Sequence, residues 1–156
     1  MDYFYEQFQT KNYEELENKL KKIEIIIIVL GIISICFLQI FLFLINVLIF
    51  IGIKMYKIKS IVEYEYELTS YDLSINKIIN KSKRKEIITF NIKNIISIKD
   101  FNNNFNEKFV NASLKDIEIK DKILRIKSGT EIINIKLALD EKLIDIIKRV
   151  NPIVFY

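Results

Sequence analysis

The sequence contains no histidine and no tryptophan, and it has one cysteine, one proline and three glycines. Without histidine there is no imidazole to activate a serine or cysteine nucleophile or to bind a metal ion. The single cysteine, Cys36, cannot form a disulfide within the chain, and it lies in an apolar stretch where a thiol behaves as a small hydrophobic group. We therefore expect no catalytic residue, no metal and no cofactor, and we predict that the protein is not an enzyme.

A strong excess of charge of one sign is also missing. Lys and Arg total 24 and Asp and Glu total 20, which gives a formal net charge of +4. A balance of this size suits a protein that lies against anionic lipid, but it is weak support for binding to a phosphate backbone. We expect no nucleic-acid partner.

A long apolar run dominates the first third of the chain. Residues 25–53 include no Asp, Glu, Lys or Arg, and their polar side chains are those of Ser34, Cys36, Gln39 and Asn46. A run of about 18 or more such residues predicts a transmembrane helix. A secretory signal peptide is the alternative, but its apolar core usually has about 7–15 residues and ends in a small-residue cleavage site. The sequence therefore predicts an integral membrane protein.

The apolar run fits one span or two. A single helix would be about 44 Å long, against a hydrocarbon core of about 30 Å. A two-helix hairpin within residues 23–58, with its turn near residues 38–40, gives two short arms whose reach is extended by flanking lysines. These membrane-flanking lysines are Lys19, Lys21, Lys22, Lys54, Lys57 and Lys59.

The positive-inside rule separates the two arrangements. A hairpin puts both groups of lysines on the cytoplasmic side, whereas a single span forces one group outward. Against the hairpin, no glycine, proline or asparagine marks the turn. We favour a multi-pass cell-membrane protein with two spans over a single-pass protein, and we expect its soluble domain to be cytoplasmic.

Residues 1–22 precede this segment and are rich in aromatic side chains. Phe4, Phe8, Tyr13, Leu16 and Leu20 lie near one face if the segment is helical. This pattern predicts an amphipathic helix at the bilayer interface, where aromatic rings are favoured. A helix that packs on the soluble domain is the alternative.

The residue pattern of residues 61–156 is typical of a small α+β domain. Val62–Leu68 alternates apolar and acidic residues, which predicts a half-buried strand, and residues 69–72 predict a turn. Asp140 is suited to cap a helix over residues 140–150, which Pro152 ends. The further predicted strands are Leu73–Asn80, Glu86–Asn91, Asn94–Lys99, Phe109–Ser113, Lys122–Lys127 and Glu131–Leu137. The predicted fold is a membrane α-helical anchor plus an antiparallel sheet or partial barrel closed by a C-terminal helix.

A basic cluster is the strongest candidate for a functional surface. It consists of Lys77, Lys81, Lys83, Arg84 and Lys85, and residues 81–85 are predicted to form a loop. One interpretation is a solvated loop that resists edge pairing of the sheet. The other is contact with anionic lipid headgroups, each basic side chain being worth about 1 kcal/mol near the surface.

The order of elements resembles a bacterial pleckstrin-homology-like (PH-like) domain. More closely, the chain resembles an uncharacterised family of small membrane proteins from Firmicutes. The residues that carry the resemblance are Asp2-Tyr-Phe-Tyr-Glu-Gln, Glu63-Tyr-Glu-Tyr-Glu-Leu-Thr69, the run 72–81, Lys83-Arg-Lys85, Asn91-Ile-Lys-Asn94 and Asn151-Pro152. The resemblance implies an N-terminal transmembrane hairpin plus a PH-like domain, and it implies no activity. The chain departs from the pattern at Ser70-Tyr71, where Asn-Gly would be typical.

Two functions remain open. The first is a membrane-anchored, non-catalytic binding or scaffold module with a cytoplasmic PH-like domain. The second is a structural or accessory subunit of a membrane complex that acts through its transmembrane helices. The expected partners are the lipid bilayer and either anionic lipid headgroups or another membrane protein.

Overall fold

The computed structural model describes residues 3–37, 39–102, 104–115 and 117–155. The chain divides into two compact units. The first, the sheet unit, comprises residues 1–10, 63–78 and 83–156, and the second, the helical unit, comprises residues 11–62 and 79–82.

The first sheet has four strands in the order β1-β2-β3-β4. Their bounds are Phe4–Gln9 for β1, Val62–Thr69 for β2, Asp72–Ile79 for β3 and Lys83–Asn91 for β4. β1 is antiparallel to β2, and its register runs from Phe4 opposite Thr69 to Gln9 opposite Tyr64. The β3–β4 turn has positive φ at both Asn80 and Lys81, as a tight hairpin turn requires. The β2–β3 turn has a positive φ of 57° at Ser70, where the family pattern led us to expect Asn.

The second sheet has the order β5-β7-β8-β6. Its strands are β5 (Ile95–Asp100), β6 (Val110–Asn111), β7 (Lys122–Ser128) and β8 (Glu131–Leu137). β7 is antiparallel to both β5 and β8, but the short β6 runs parallel to β8. The expectation of a purely antiparallel sheet is therefore wrong for β6. The described strands form two open sheets, and neither closes into a barrel.

A C-terminal helix completes the sheet unit. The Asp140 carboxylate accepts a hydrogen bond from the Leu143 amide at 2.8 Å, and the helix α3 (Glu141–Val150) follows. The predicted helix over residues 140–150 and its cap are thus confirmed. Leu143 and Ile147 are fully buried, and they belong to the same core as the inward side chains of both sheets. The fully buried side chains of the two sheets include Tyr66, Leu68, Leu73, Ile75, Leu124, Ile126, Ile135 and Leu137.

Two helices form most of the helical unit: α1 (Glu14–Cys36) and α2 (Ile40–Ser60). They are joined by a turn in which the Gln39 amide donates to the Ser34 carbonyl at 2.9 Å. They are antiparallel, because Lys54 contacts Glu24 while Asn46 contacts Ser34, nearer the turn. The chain therefore reverses in the predicted region; of the predicted turn at 38–40, Leu38 lies outside the described residues.

Among the described residues one helix, α2, is long and apolar enough to cross a membrane. The first half of α1 is charged as far as Glu24, so α1 does not meet the same criterion. The expectation of two spans is therefore not supported.

The predicted amphipathic helix over residues 1–22 is wrong for its first half. Phe4–Gln9 form strand β1, and α1 begins only at Glu14; residues 1 and 2 lie outside the described part. Gln7 and Gln9 are buried while Phe4 and Phe8 are exposed, which is the alternation of a strand. Pairing with β2 decides the conformation here. The sheet unit accordingly includes β1, whereas the predicted domain began at residue 61.

Candidate membrane-binding site

Near the turn, α1 and α2 expose large apolar side chains over more than one face of each helix. Ile28 and Val29 are adjacent in α1 and are 51% and 49% exposed, and Ile32 is 57% exposed. In α2, Leu48 and Ile49 are likewise adjacent and are 69% and 48% exposed. Neighbouring residues of a helix point about 100° apart, so this exposure is not confined to one stripe. A surface this broad is better suited to contact with lipid hydrocarbon than to binding in a single protein groove.

Two polar side chains of the apolar run, those of Ser34 and Asn46, form hydrogen bonds within the helices. The Ser34 hydroxyl donates to the Leu30 carbonyl at 2.9 Å, and the Asn46 amide donates to the Leu42 carbonyl at 3.0 Å. Asn46 also reaches the Ser34 hydroxyl at 3.5 Å, across the two helices. Hydrogen bonds of this kind join helices in membranes.

Charged groups begin at one level of the hairpin. The Lys54 ammonium lies 3.1 Å from a carboxylate oxygen of Glu24 and over the Phe50 ring. Between these two residues and the turn, neither helix has a charged side chain. The remaining flanking lysines lie on the other side of this pair along each helix: Lys19, Lys21 and Lys22 in α1, and Lys57 and Lys59 in α2. The pair therefore marks the boundary between the apolar and charged parts.

The structure divides the predicted basic cluster. Lys81 belongs to the helical unit and makes an ion pair with Glu17 at 2.7 Å. Arg84 belongs to the sheet unit and lies 2.6 Å from Glu65, a carboxylate that is only 1% exposed. These two basic groups neutralise acids of the same chain, so they are not available in full to a lipid.

The remaining members of the cluster lie in strands. Lys83, Arg84 and Lys85 are part of β4, so the predicted loop over residues 81–85 is wrong for these three. Lys83 and Lys85 are exposed and Lys77, in β3, is half-buried. Within the described parts of the chain, no acidic side chain pairs with Lys83 or Lys85. These two lysines are the strongest candidates for contact with an external anion.

A cavity of about 280 Å³, lined mainly by polar side chains, lies on the second sheet, and it was not predicted from the sequence. Ser97, Arg125 and Asn134 form one cross-strand row along its floor. Both carboxylate oxygens of Glu107 accept from Arg125, and one also accepts from Asn134 at 2.9 Å. Arg125 Nε and Asn134 Oδ1 have no hydrogen-bond partner among the residues that the structure describes. The sequence signal was a polar residue in the middle of each apolar strand, at positions 125 and 134.

A buried polar network joins β1 to the rest of the sheet unit, and it too was missed. The Gln9 amide donates to the Tyr66 hydroxyl at 2.6 Å and to the Ala138 carbonyl at 2.7 Å. The Tyr66 hydroxyl donates to the Ala112 carbonyl at 2.7 Å. Burial raises the pKa of Tyr66 far above its ordinary value, so the hydroxyl keeps its proton. These contacts make the network a structural element.

The comparisons with known proteins agree with this fold. The family model described as Bacterial PH-like domain (DUF6106) matches residues 1–156. No curated protein and no solved structure matches the chain. The match covers the helical hairpin as well as the sheets, but it gives neither a Firmicutes origin nor a number of spans.

Proposed function

The chain belongs to the bacterial PH-like domain family, and on that basis we propose that it is a membrane-anchored, non-catalytic binding or scaffold module. The helical hairpin is the anchor, and the sheet unit is the binding domain. In the chain, the hairpin is inserted between β1 and β2, so two strands of the domain lead directly into the anchor. The bilayer is therefore the first partner we assign.

The observation that carries the proposal is the broad exposed apolar surface of the hairpin. Ile26, Ile35 and Leu44 are aliphatic, yet each is more than half exposed within its helix. Contiguous apolar surface of this extent is rare on monomeric soluble proteins. Insertion into hydrocarbon removes it from water, at about 25 cal/mol for each Å².

Co-flotation with lipid vesicles tests the anchor. We expect the full chain to float with phosphatidylcholine vesicles and to remain bound at high salt, because the apolar surface drives binding. A variant with Ile28→Lys and Leu48→Lys places two charges on this surface and should lose flotation. The matched control, Ile132→Lys, changes a 56% exposed isoleucine of the sheet unit and should float normally. Flotation of the double variant that equals that of the native chain would refute the anchor.

We propose that the sheet unit is cytoplasmic and touches anionic headgroups through Lys83 and Lys85. The lysines that flank the hairpin support the cytoplasmic side, since basic residues are retained there. Tethering raises the effective concentration of the headgroups at the domain, so a weak contact suffices. Each lysine is expected to add about 1 kcal/mol near an anionic surface.

The lipid contact is tested by Lys83→Gln with Lys85→Gln. Arg84 must be left unchanged, because its removal would unpair the buried Glu65 carboxylate. Binding of the chain to vesicles that contain phosphatidylglycerol should weaken by about 2 kcal/mol relative to the native chain, and salt should diminish the difference. Lys127→Gln with Lys142→Gln is the charge-matched control. If both double variants lost the same amount of vesicle binding, the effect would come from net charge alone, and a local contact at Lys83 and Lys85 would be contradicted.

One observation favours the alternative, an accessory subunit of a membrane complex. An apolar groove of about 260 Å³ runs between α1 and α2, lined by residues that include Gly31, Phe43 and Val47. Small residues let a further helix approach closely in a membrane. Gly31→Leu fills the groove: it should abolish co-purification of a partner if this function holds, and leave vesicle binding unchanged in either case.

A further inference from the structure

We infer that the hairpin enters the bilayer from one face and ends inside the hydrocarbon, without emerging on the far side. The inference rests on the proposed function, because it takes insertion of the hairpin as given. It specifies a re-entrant anchor in place of one span or two.

The length of the uncharged arms is the first argument. In α1 the residues between Glu24 and the end of the helix are 25–36, and in α2 the residues before Lys54 are 40–53. At about 1.5 Å per residue these arms are about 18 Å and about 21 Å long. The hydrocarbon core is about 30 Å thick. Both arms therefore pass the midplane of the bilayer and stop about 10 Å short of the opposite headgroups.

The full length of α2 does not alter this result. Ile40–Ser60 is long and apolar enough to cross as a whole, but its last turns contain Lys54, Lys57 and Lys59. The Lys54 ammonium is held by Glu24 at 3.1 Å, and the pair binds the two helices together at that level. Pulling α2 deeper would carry an ion pair into hydrocarbon, where desolvation of both groups is costly.

The chemistry of the tip is the second and independent argument. Phe37, Ile40 and Phe41 are 72%, 73% and 75% exposed, which makes them the most exposed apolar residues in the described part of the hairpin. A turn that emerges among headgroups on the far side is expected to present polar or charged residues to water. This turn presents large apolar side chains and a single amide, that of Gln39. The apolar side chains of this turn are therefore better suited to hydrocarbon than to water.

Two described amides of the turn are paired with α1, which reduces the number of backbone groups exposed to hydrocarbon. The Phe37 amide donates to the Ile33 carbonyl at 3.1 Å, and the Gln39 amide donates to the Ser34 carbonyl. The Gln39 carbonyl accepts from the Phe43 amide at 3.1 Å. The chain thus reverses direction with the described amides of the turn bonded to α1, and this lowers the cost of keeping the turn out of water.

The natural cysteine is a probe of this arrangement. Cys36 is the only cysteine, it is exposed, and it lies in the last turn of α1 next to the tip. A maleimide reacts with a thiolate in water, so a thiol in hydrocarbon is protected. The experiment uses the full chain in phosphatidylcholine–phosphatidylglycerol vesicles and a membrane-impermeant maleimide, supplied outside or trapped in the lumen. Cys36→Ser with Glu131→Cys reports which side the sheet unit occupies.

We expect Cys36 to react from neither side until detergent is added, while the control cysteine reacts from one side only. Reaction of Cys36 from the side opposite the control would overturn the inference and establish two crossings. A chain that does not float, with Cys36 reacting without detergent, would instead show that the proposed anchor has failed.

A second variant addresses the tip without a cysteine. Phe37→Lys with Phe41→Lys should lower partitioning into vesicles on the order of 100-fold for each lysine, because the charges would lie in hydrocarbon. If the tip reached water on the far side, the two lysines would leave binding unchanged or strengthen it, and the inference would be wrong.

Discussion

The side-chain amide of Gln9 lies 2.6 Å from the Tyr66 hydroxyl, inside the core of the sheet unit. Gln9 is 3% exposed and Tyr66 is fully buried. The amide oxygen of Gln9 also accepts from the Leu114 amide at 3.3 Å, so one side chain of β1 is bonded to three separate segments. The N-terminal strand is therefore an integral part of the domain that follows the hairpin.

Gln9→Ala is expected to destabilise the domain by about 2–3 kcal/mol. The substitution leaves the Leu114 amide buried without its partner and opens space beside Tyr66, and both effects are unfavourable. Glu6→Gln is the matched control, because it changes an exposed position of the same strand and should cost less than about 0.5 kcal/mol. Thermal unfolding in detergent, followed by circular dichroism, measures both. Equal midpoints for the two variants would show that the network contributes little.

A chain in which residues 11–62 are replaced by a short Asn-Gly turn should fold and be soluble. Gln9 pairs directly with Tyr64, and the Thr10 hydroxyl donates to Glu63 at 2.7 Å, so the two ends already lie side by side. A tight turn can join such ends. The fragment 61–156, which lacks β1, should instead aggregate. Size-exclusion chromatography and circular dichroism distinguish the two; a well-folded 61–156 would contradict the role of β1.

Arg84→Ala should destabilise the domain by about 2 kcal/mol. The Glu65 carboxylate is 1% exposed and loses its cationic partner, while Asn76 continues to donate at 3.0 Å. The loss in free energy of unfolding is smaller than for a fully buried ion pair, because the Arg84 guanidinium is half-exposed and the Asn76 amide still bonds to Glu65. Glu65→Gln with Arg84→Ala should recover part of the stability, because it removes the unpaired charge. Lys83→Ala should be neutral in the same melting experiment, because no acidic side chain among the described residues pairs with Lys83.

The contact between Tyr5 and Asp140 predicts a dependence on alkaline pH. The hydrogen bond to the Asp140 carboxylate, with burial and the carboxylate charge, raises the pKa of Tyr5 from 10.0 to about 12. Because the pKa of Tyr5 is higher in the folded state, its contact with Asp140 contributes fully to the free energy of unfolding below pH 10.0. This contribution is lost as the pH rises through about 12. Tyr5→Phe should cost about 1 kcal/mol at pH 8, and the cost should shrink above pH 10.

The measurement is the difference in unfolding free energy between the native chain and Tyr5→Phe, taken from pH 8 upward. Asp140→Asn is the background control, since asparagine still caps α3 but has no charge to hold the Tyr5 proton. The pH dependence of the difference should largely disappear there. A difference that is flat with pH in the native background would refute the assigned contact.

Local patterns predicted most of the elements of the sheet unit. The alternation of Val62–Leu68 predicted β2, and Asp140 with Pro152 predicted the bounds of α3. Burial of one strand face and helix capping both depend on residues that are close in sequence. Strand β1 was missed because Phe4, Phe8 and Tyr13 fit a helical face equally well. Its pairing with β2 involves residues more than 50 positions away, and a local sequence pattern does not indicate such a contact.

The candidate site was predictable only in part. The apolar run and its lysines were visible in the sequence, and the reversal of the chain lies close to the expected turn. The division of the basic cluster was not visible, since Arg84 and Lys83 are adjacent and chemically alike. Only the fold brings the buried Glu65 to one of them. The row of Ser97, Arg125 and Asn134 likewise depends on strand register, which three separate segments set together.

The central claim is that the hairpin anchors a PH-like domain in the membrane. The most direct measurement expresses the full chain and the chain with residues 11–62 replaced by a turn in bacterial cells, and washes the membranes with alkaline carbonate. The account predicts that the full chain stays in the membrane pellet and that the hairpin-less chain is found folded in the soluble fraction. Release of the full chain by the wash, or retention of the hairpin-less chain, would contradict it.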